Sequence, residues 1–344
     1  MTLGAVCVVG AGSWGTTLAA SIALRSETRL WARSPELAAQ INAVRENTRY
    51  LGGVTLPRAL VATSSLADAL SGARIVFMAV PSRGFRAVLQ DALPYLGPDS
   101  CVVSLTKGIE PKTNLRMSQV IESVAPGRHF GVLAGPNLAR EVAEGQPCAC
   151  VVAMTDTAMA REVQAILHTK VFRVYTGNDI VGCEIAGATK NVLAIASGVA
   201  DGLGFGDNTR AVLITRGLAE LGRLGMSLGG QGLTFGGLAG VGDLVATCSS
   251  TKSRNRNVGF ELGKGRDLNA ILDQMNMVAE GITTAGPLCK IALDRGVEMP
   301  IANEVDSIVK GLHSPREALA NLMERPARSE WDEEMFKGFM GFLG

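Results

Sequence analysis

Histidine is scarce in this chain: His129, His168 and His313 are the only three in 344 residues, and none of the seven cysteines forms a C-x-x-C pair. Structural zinc sites and disulfide frameworks are built from clusters of such ligands, so neither is expected and no metal is assigned. The cysteines (Cys7, Cys101, Cys148, Cys150, Cys183, Cys248 and Cys289) fall at apolar positions, which fits unpaired thiols in a reducing compartment. Charge of one sign is also missing, with 33 basic against 32 acidic side chains, so nucleic acid is not expected as a partner. The sequence offers no run of about eighteen uninterrupted apolar residues to cross a membrane. It also lacks an N-terminal basic and apolar segment with a cleavage site. A cytoplasmic protein without a membrane partner is the expectation.

Apolar residues make up 47% of the chain, enough for a large core, and at roughly 150 residues per domain the length suggests about two domains. The first half alternates short apolar runs with helical stretches. Ala5–Val9, Thr28–Trp31, Ile75–Val80, Cys101–Leu105, Phe130–Ala134, Ala149–Ala153 and Phe172–Tyr175 read as strands. Runs such as Ile75-Val76-Phe77-Met78-Ala79-Val80 are apolar at every position, the pattern of strands covered on both faces, and point to a parallel sheet with crossover helices. From Asp179 onward the pattern is helical. The reading is therefore an α/β chain: a Rossmann-type, mostly parallel sheet over residues 1–178, then an all-α domain over 179–344. Ser314-Pro315-Arg316-Glu317 carries a helix start, and the tail from Trp331 to Leu343 is read as docking on its own domain or a dimer mate rather than on a membrane.

Glycine is plentiful, 41 residues, and its placement is informative. The strand Ala5–Val9 runs into Gly10-Ala11-Gly12-Ser13-Trp14-Gly15 and then into a helical stretch. In that context G-x-G-x-x-G is a dinucleotide turn: Gly10 for the tight bend, Gly12 for approach of a pyrophosphate, Gly15 for close packing of helix on strand. Where an NAD-selective site carries a carboxylate after the second strand, this chain has Arg33, which can pair with a 2′-phosphate and so permits NADP. Four further segments are too polar and glycine-rich for ordinary core: Ser104 to Glu110, Ala134 to Asn137, Glu184 to Leu193, and Gly237 to Asn257. Lys107 falls at the carboxyl edge of the sheet, and Lys190 sits on a helix among small neighbours that leave room for a substrate.

Together these strings resemble the NAD(P)-dependent glycerol-3-phosphate dehydrogenases of the bacterial type, over nearly the whole chain. The resemblance rests on the dinucleotide turn, Leu30-Trp31-Ala32-Arg33, Thr106-Lys107-Gly108-Ile109-Glu110, Ala134-Gly135-Pro136, and Glu184 through Val192. It continues in Ala200 through Asn208, Gly240-Val241-Gly242-Asp243-Leu244, Ser253-Arg254-Asn255-Arg256 and Val278-Ala279-Glu280-Gly281. It implies reversible reduction of dihydroxyacetone phosphate to sn-glycerol 3-phosphate for phospholipid synthesis, with NADPH/NADP or NADH/NAD. The fold it implies is a Rossmann domain joined to a helical domain like that of 6-phosphogluconate dehydrogenase, in a homodimer.

Carried over by position, it makes Lys190 the proton donor and acceptor, with Lys107 and Asp243 completing the catalytic set. Lys107, Gly135, Asn137, Lys190, Asp243, Ser253, Arg254 and Asn255 would bind substrate. Gly10, Gly12, Ser13, Trp14, Gly15, Arg33, Lys107, Ala139, Arg254, Val278 and Glu280 would bind the dinucleotide. Asn137 stands where the family has Ser or Thr, Tyr50-Leu51-Gly52-Gly53 lacks the family's proline, and Cys148-Ala149-Cys150 replaces more ordinary residues. A ketopantoate reductase or hydroxyisobutyrate-type dehydrogenase would share the glycine turn and helical lysine, but not Ser253-Arg254-Asn255 or Gly242-Asp243. A dinucleotide-sensing module without turnover would not need the lysines.

Overall fold

A computed structural model describes residues 5–275, 278–327 and 329–330. The apolar tail read from Trp331 to Leu343 lies outside the described residues.

The strands are β1 (Ala5–Val9), β2 (Thr28–Trp31), β3 (Leu60–Thr63), β4 (Ala73–Met78), β5 (Cys101–Ser104), β6 (Phe130–Ala134), β7 (Cys148–Met154) and β8 (Phe172–Gly177). They form one sheet in the order β3-β2-β1-β4-β5-β6-β7-β8, parallel at every pairing except β6 with β7. Helices α1 (Ser13–Ala23), α2 (Pro35–Val44), α3 (Leu66–Leu70), α4 (Ser82–Ala92), α5 (Met117–Val124), α6 (Ala139–Ala143) and α7 (Thr157–Leu167) lie between the strands in sequence.

The gapless apolar runs have a simple cause. Val6, Val8, Ile75, Phe77, Cys101 and Val103 enter one core, while their chain neighbours Cys7, Val9, Val76, Met78 and Val102 enter another. Successive side chains of a strand point to opposite faces, so a sheet with two covered faces needs an apolar residue at every position. The mostly parallel sheet agrees with the sequence reading; β5 stops one residue short of Leu105, β7 and β8 outrun the strands read at Ala149–Ala153 and Phe172–Tyr175, and two larger features also depart from it. Strand β3 was not anticipated: it is a short edge strand whose Val61 is exposed, so its sequence lacks the buried-strand signal. Strand β4 starts and stops two residues earlier than Ile75–Val80. There Val80 leaves the ladder before Pro81, and its carbonyl accepts the hydroxyl of Thr106 (2.6 Å).

Residue contacts divide the chain into two units. The first runs to Glu110 and includes Leu115–Ile180; the second takes Pro111–Asn114 and the chain from Val181 on. Among its described residues the second unit has helices and no strand. These are α8 (Ile180–Gly202), α9 (Asp207–Ser227), α10 (Gly232–Gly236), α11 (Asp243–Ser249), α12 (Arg254–Gly263), α13 (Leu268–Asp273), α14 (Glu280–Asp294), α15 (Pro300–Val309) and α16 (Pro315–Met323). The Ser314 and Glu317 capping box opens α16. Helix α8 is long and apolar enough to span a membrane, with a mean hydropathy of 1.2, but 94% of that stretch is buried inside the protein, which makes it a core helix.

A carboxylate caps α15 from outside. The buried Glu220 of α9 accepts from the backbone N–H groups of Ile301 (2.8 Å) and Ala302 (3.2 Å), two of the donors a helix start leaves without partners. Burial pushes its carboxyl up to about 7 against the opposing pull of those two donors. All seven cysteines are free thiols, and only Cys148 and Cys289 are less than fully buried.

Candidate active site

The order of the sheet reverses between β1 and β4, and in open α/β sheets the crevice beyond the strand ends at such a point is where ligands bind. Gly10 sits there at φ +117°, and a Cβ on it would lie 2.5 Å from the carbonyl oxygen of Ala79. A Cβ on Gly15 would lie 2.0 Å from the carbonyl oxygen of Gly10, so only glycine lets α1 start this close to β1. Gly12 is different: nothing lies within 4 Å of where its Cβ would be. Open space above a backbone at a helix N-terminus is what a pyrophosphate requires, and a side chain there would fill it. The residues present therefore fit a dinucleotide.

The turn is held from behind by Asn47, fully buried, whose amide donates to the carbonyl of Ala11 (2.9 Å) and to the hydroxyl of Thr16 (2.8 Å). Ser13 donates to the carbonyl of Tyr50 (2.7 Å), and Thr17 to that of Ala139 at the start of α6 (3.1 Å). Trp14 turns its ring inward, edge-on to Phe172 at 6.2 Å between centroids, which leaves its backbone at the start of α1 as the part nearest the turn. Arg33, just beyond β2, is exposed.

On the same unit Lys107 follows β5. Its ammonium donates to the carbonyl of Gly135 (2.7 Å), which also accepts from the amide of Asn137 (3.0 Å). Gly135 has φ +128°, and a Cβ there would meet the backbone of Cys150 at 3.0 Å, so glycine is required for this carbonyl to be presented. The loop bearing Lys107 is pinned beyond it as well. Glu110, buried, takes a bidentate ion pair from Arg86 of α4 (2.9 and 2.8 Å).

In the helical unit the ammonium of Lys190, on α8, donates to Asp243 (3.0 Å) and to Thr247 (2.9 Å), and the Thr247 hydroxyl reaches the same Asp243 oxygen at 3.2 Å. Asp243 and Thr247 are one turn apart on α11, which follows a π-turn over Leu238–Gly242. The lysine and aspartate side chains are 8% and 3% exposed. Removing two charges from water costs several kcal/mol per ion, so packing alone does not favour such a pair. What it does provide is one fixed direction for an amine.

Helix α12 reaches this region by an unusually close contact. A Cβ on Gly198 would lie 1.9 Å from the carbonyl oxygen of Arg256, one on Gly259 2.0 Å from that of Ile195, and those on Gly202 and Gly263 meet backbone at 2.3 and 2.4 Å. The facing G-x-x-x-G pairs bring α8 and α12 backbone to backbone in parallel. The start of α12 is thereby level with Lys190. Asn255 donates to Asn191 (2.8 Å) and accepts from the N–H of Gly281 in α14 (2.9 Å), so its carboxamide ties three helices together. Ser253 is the N-cap of α12, accepting from Arg256 N–H (3.3 Å), and Arg254, at the surface, donates to the carbonyl of Val278 (2.9 Å) two residues before Glu280.

Two family models cover most of the chain. The one described as the N-terminus of NAD-dependent glycerol-3-phosphate dehydrogenase matches residues 5–160, and the one for its C-terminus matches residues 179–320. The chain belongs to the NAD-dependent glycerol-3-phosphate dehydrogenase family. It is 49% identical over 325 residues to glycerol-3-phosphate dehydrogenase [NAD(P)+] 2 of Sphingopyxis alaskensis, an alignment covering 94% of this chain and 98% of that one. The crystal structure of glycerol-3-phosphate dehydrogenase from Coxiella burnetii superposes with a TM-score of 0.91 at 36% identity, covering 94% and 99% of the two chains. A ketopantoate reductase from Ralstonia eutropha shares the fold, at a TM-score of 0.61 and 17% identity over 92% and 99% of the chains.

Within this dehydrogenase chain, Gly10 to Gly15, Lys107, Gly135, Asn137 and Ala139 belong to the sheet unit, as does Arg33. Lys190, Asp243, Ser253, Arg254, Asn255, Val278 and Glu280 belong to the helical unit. Sequence reasoning missed Asn47, Asn191, Thr247 and Arg86. Thr247 had a usable signal, four residues after Asp243 and thus on the same helical face. Asn47 had none, because its partners Ala11 and Thr16 are more than thirty residues away.

Proposed function

We propose that the chain catalyses the reversible reduction of dihydroxyacetone phosphate to sn-glycerol 3-phosphate, making the backbone of phospholipids. The observation that carries this reading is the buried Lys190 ammonium fixed by Asp243 and Thr247, in a chain whose other unit carries an open glycine turn for a dinucleotide. A nicotinamide dinucleotide held at the turn from Gly10 to Gly15 would supply the hydride chemistry that C2 of the substrate requires. Lys190 handles the accompanying proton at the C2 oxygen, giving it in reduction and taking it in oxidation, while Asp243 and Thr247 keep the amine pointed at one place. Reduction takes up a proton and oxidation releases one, so rising pH shifts the balance toward oxidation.

Lys107 is assigned to substrate and cofactor, its charge anchored at the Gly135 carbonyl. Ser253 and Arg254, with the N–H groups at the start of α12, suit the phosphate dianion. Arg33 suits a 2′-phosphate, and both NADP and NAD are accommodated in this reading. We assign the protein to the cytoplasm as a homodimer. The test is to mix purified protein with NADPH and dihydroxyacetone phosphate and follow loss of reduced-nicotinamide absorbance, with NADH and ketopantoate as parallel arms. Oxidation with ketopantoate and not with the phosphorylated triose would overturn the assignment; no oxidation with either would leave only a sensing role.

A further inference from the structure

We propose that Asn47 is a positioning residue for the dinucleotide, aiming the N–H of Gly12 at the pyrophosphate through the carbonyl of Ala11, a role that rests on the reading of the Gly10 to Gly15 turn as the cofactor site. The Ala11–Gly12 peptide is planar and trans, so its C=O and N–H point in opposite directions. Asn47 is fully buried and donates to that carbonyl (2.9 Å), which turns the oxygen to the interior and the Gly12 N–H outward. Among the described residues no acceptor meets this N–H, and nothing lies within 4 Å of the Cβ position on Gly12.

Glycine at this position creates the need for such a clamp. Without a Cβ, Gly12 accepts almost any φ, so sterics alone do not stop the peptide before it from turning over. Turned over, it would present the Ala11 carbonyl oxygen to the diphosphate where a donor is required. The carboxamide of Asn47 is itself held in one orientation. Both of its N–H groups are used, on Ala11 and on the hydroxyl of Thr16 (2.8 Å), and its oxygen accepts from the N–H of Tyr50 (3.1 Å). The exchanged orientation would set donor against donor. The same short turn grips the far side of Gly12 as well, because the Tyr50 carbonyl accepts from Ser13 (2.7 Å). Arg33 faces only the 2′-phosphate in the reading above, whereas the pyrophosphate is common to NADPH and NADH. A clamp on Gly12 therefore acts on both dinucleotides alike.

The test is fluorescence titration of Asn47→Asp with NADPH and with NADH, beside thermal unfolding without cofactor. Aspartate keeps the size and the acceptor for Tyr50 but, ionised, has no donor for Ala11. We expect both dissociation constants to rise at least ~10-fold and by the same factor, the loss of one hydrogen bond to a charged group. Thr16→Val is the comparison for a merely structural role. It keeps the Ala11 bond but leaves a buried N–H of Asn47 without an acceptor, so its unfolding midpoint should fall while both dissociation constants stay near the parent's. Should Asn47→Asp not fold, Asn47→Ser, which is too short to reach Ala11 and carries no charge, gives the same readout. Parent-like dissociation constants in a folded Asn47 variant, equal loss in Thr16→Val, or loss confined to NADPH would overturn the clamp. A parent chain that binds neither dinucleotide would overturn instead the reading of the turn.

Discussion

Gly259→Ala adds one methyl group where α12 touches α8, and its consequence can be worked out from distances. The new Cβ would lie 2.0 Å from the carbonyl oxygen of Ile195 and 2.9 Å from the N–H nitrogen of Val199, both backbone atoms that no rotamer change can move. To restore a separation of 3.0 Å the helices must part by roughly 1 Å. Overpacking of this kind costs about 1–3 kcal/mol, several degrees in the unfolding midpoint of a unit this size. Asn255, one turn before Gly259, moves with the helix, which puts its 2.8 Å bond to Asn191 and 2.9 Å bond to Gly281 at risk. If α12 positions substrate as proposed, displacing it by ~1 Å should lower turnover on the order of 100-fold. The assay is steady-state reduction of dihydroxyacetone phosphate beside thermal unfolding, with the loss expected in both. Gly222→Ala is the control: on α9 nothing lies within 4 Å of its Cβ position, so it should gain up to about 1 kcal/mol in helix propensity. If Gly259→Ala matches that control in both turnover and midpoint, the account of the α8 and α12 contact is wrong.

Lys190→Ala should lower turnover by at least ~100-fold while leaving NADPH titration intact; turnover near the parent value would remove Lys190 as the proton carrier. Arg33→Asp should weaken NADPH far more than NADH, and an unchanged ratio of the two KM values would detach Arg33 from cofactor choice. Glu220 gives a pH signature of definite sign. Its carboxyl, neutral in the fold up to about 7, ionises near 4.5 once unfolded, so stability should decline as pH rises across that window and level off above it. The drop is on the order of 3 kcal/mol, at 1.36 per pKa unit. Glu220→Gln should be less stable at pH 5, having one acceptor for two N–H groups, and should lose the slope; urea midpoints showing the same slope in both proteins would refute the assignment.

What the sequence made legible was whatever its local pattern encodes. Gapless runs such as Cys7-Val8-Val9 marked strands that feed two cores, and Gly10 to Gly15 marked the turn because each glycine answers a local steric demand. The reversal at β7 was not legible, since Cys148–Met154 is apolar in either direction and only its partner strand decides. Likewise the side chains that hold the site act across long separations: Asn47 on Ala11, Arg86 on Glu110, Asn191 on Asn255. Lys190 could be singled out from its small neighbours, whereas the geometry that aims it belongs to α11, more than fifty residues away.

The seclusion of the cysteines bears on how the molecule can be studied. Burial pushes the thiols of Cys7, Cys101, Cys248 and Cys289 up to about 12 and Cys148 up to about 11, so at neutral pH the nucleophilic thiolate is a rare species at these sites. A single cysteine engineered at the surface would therefore react with maleimide or spin-label reagents well ahead of the native sulfurs. Dyes could be attached to the parent chain without first stripping its own cysteines, and distance measurements between the sheet unit and the helical unit made directly.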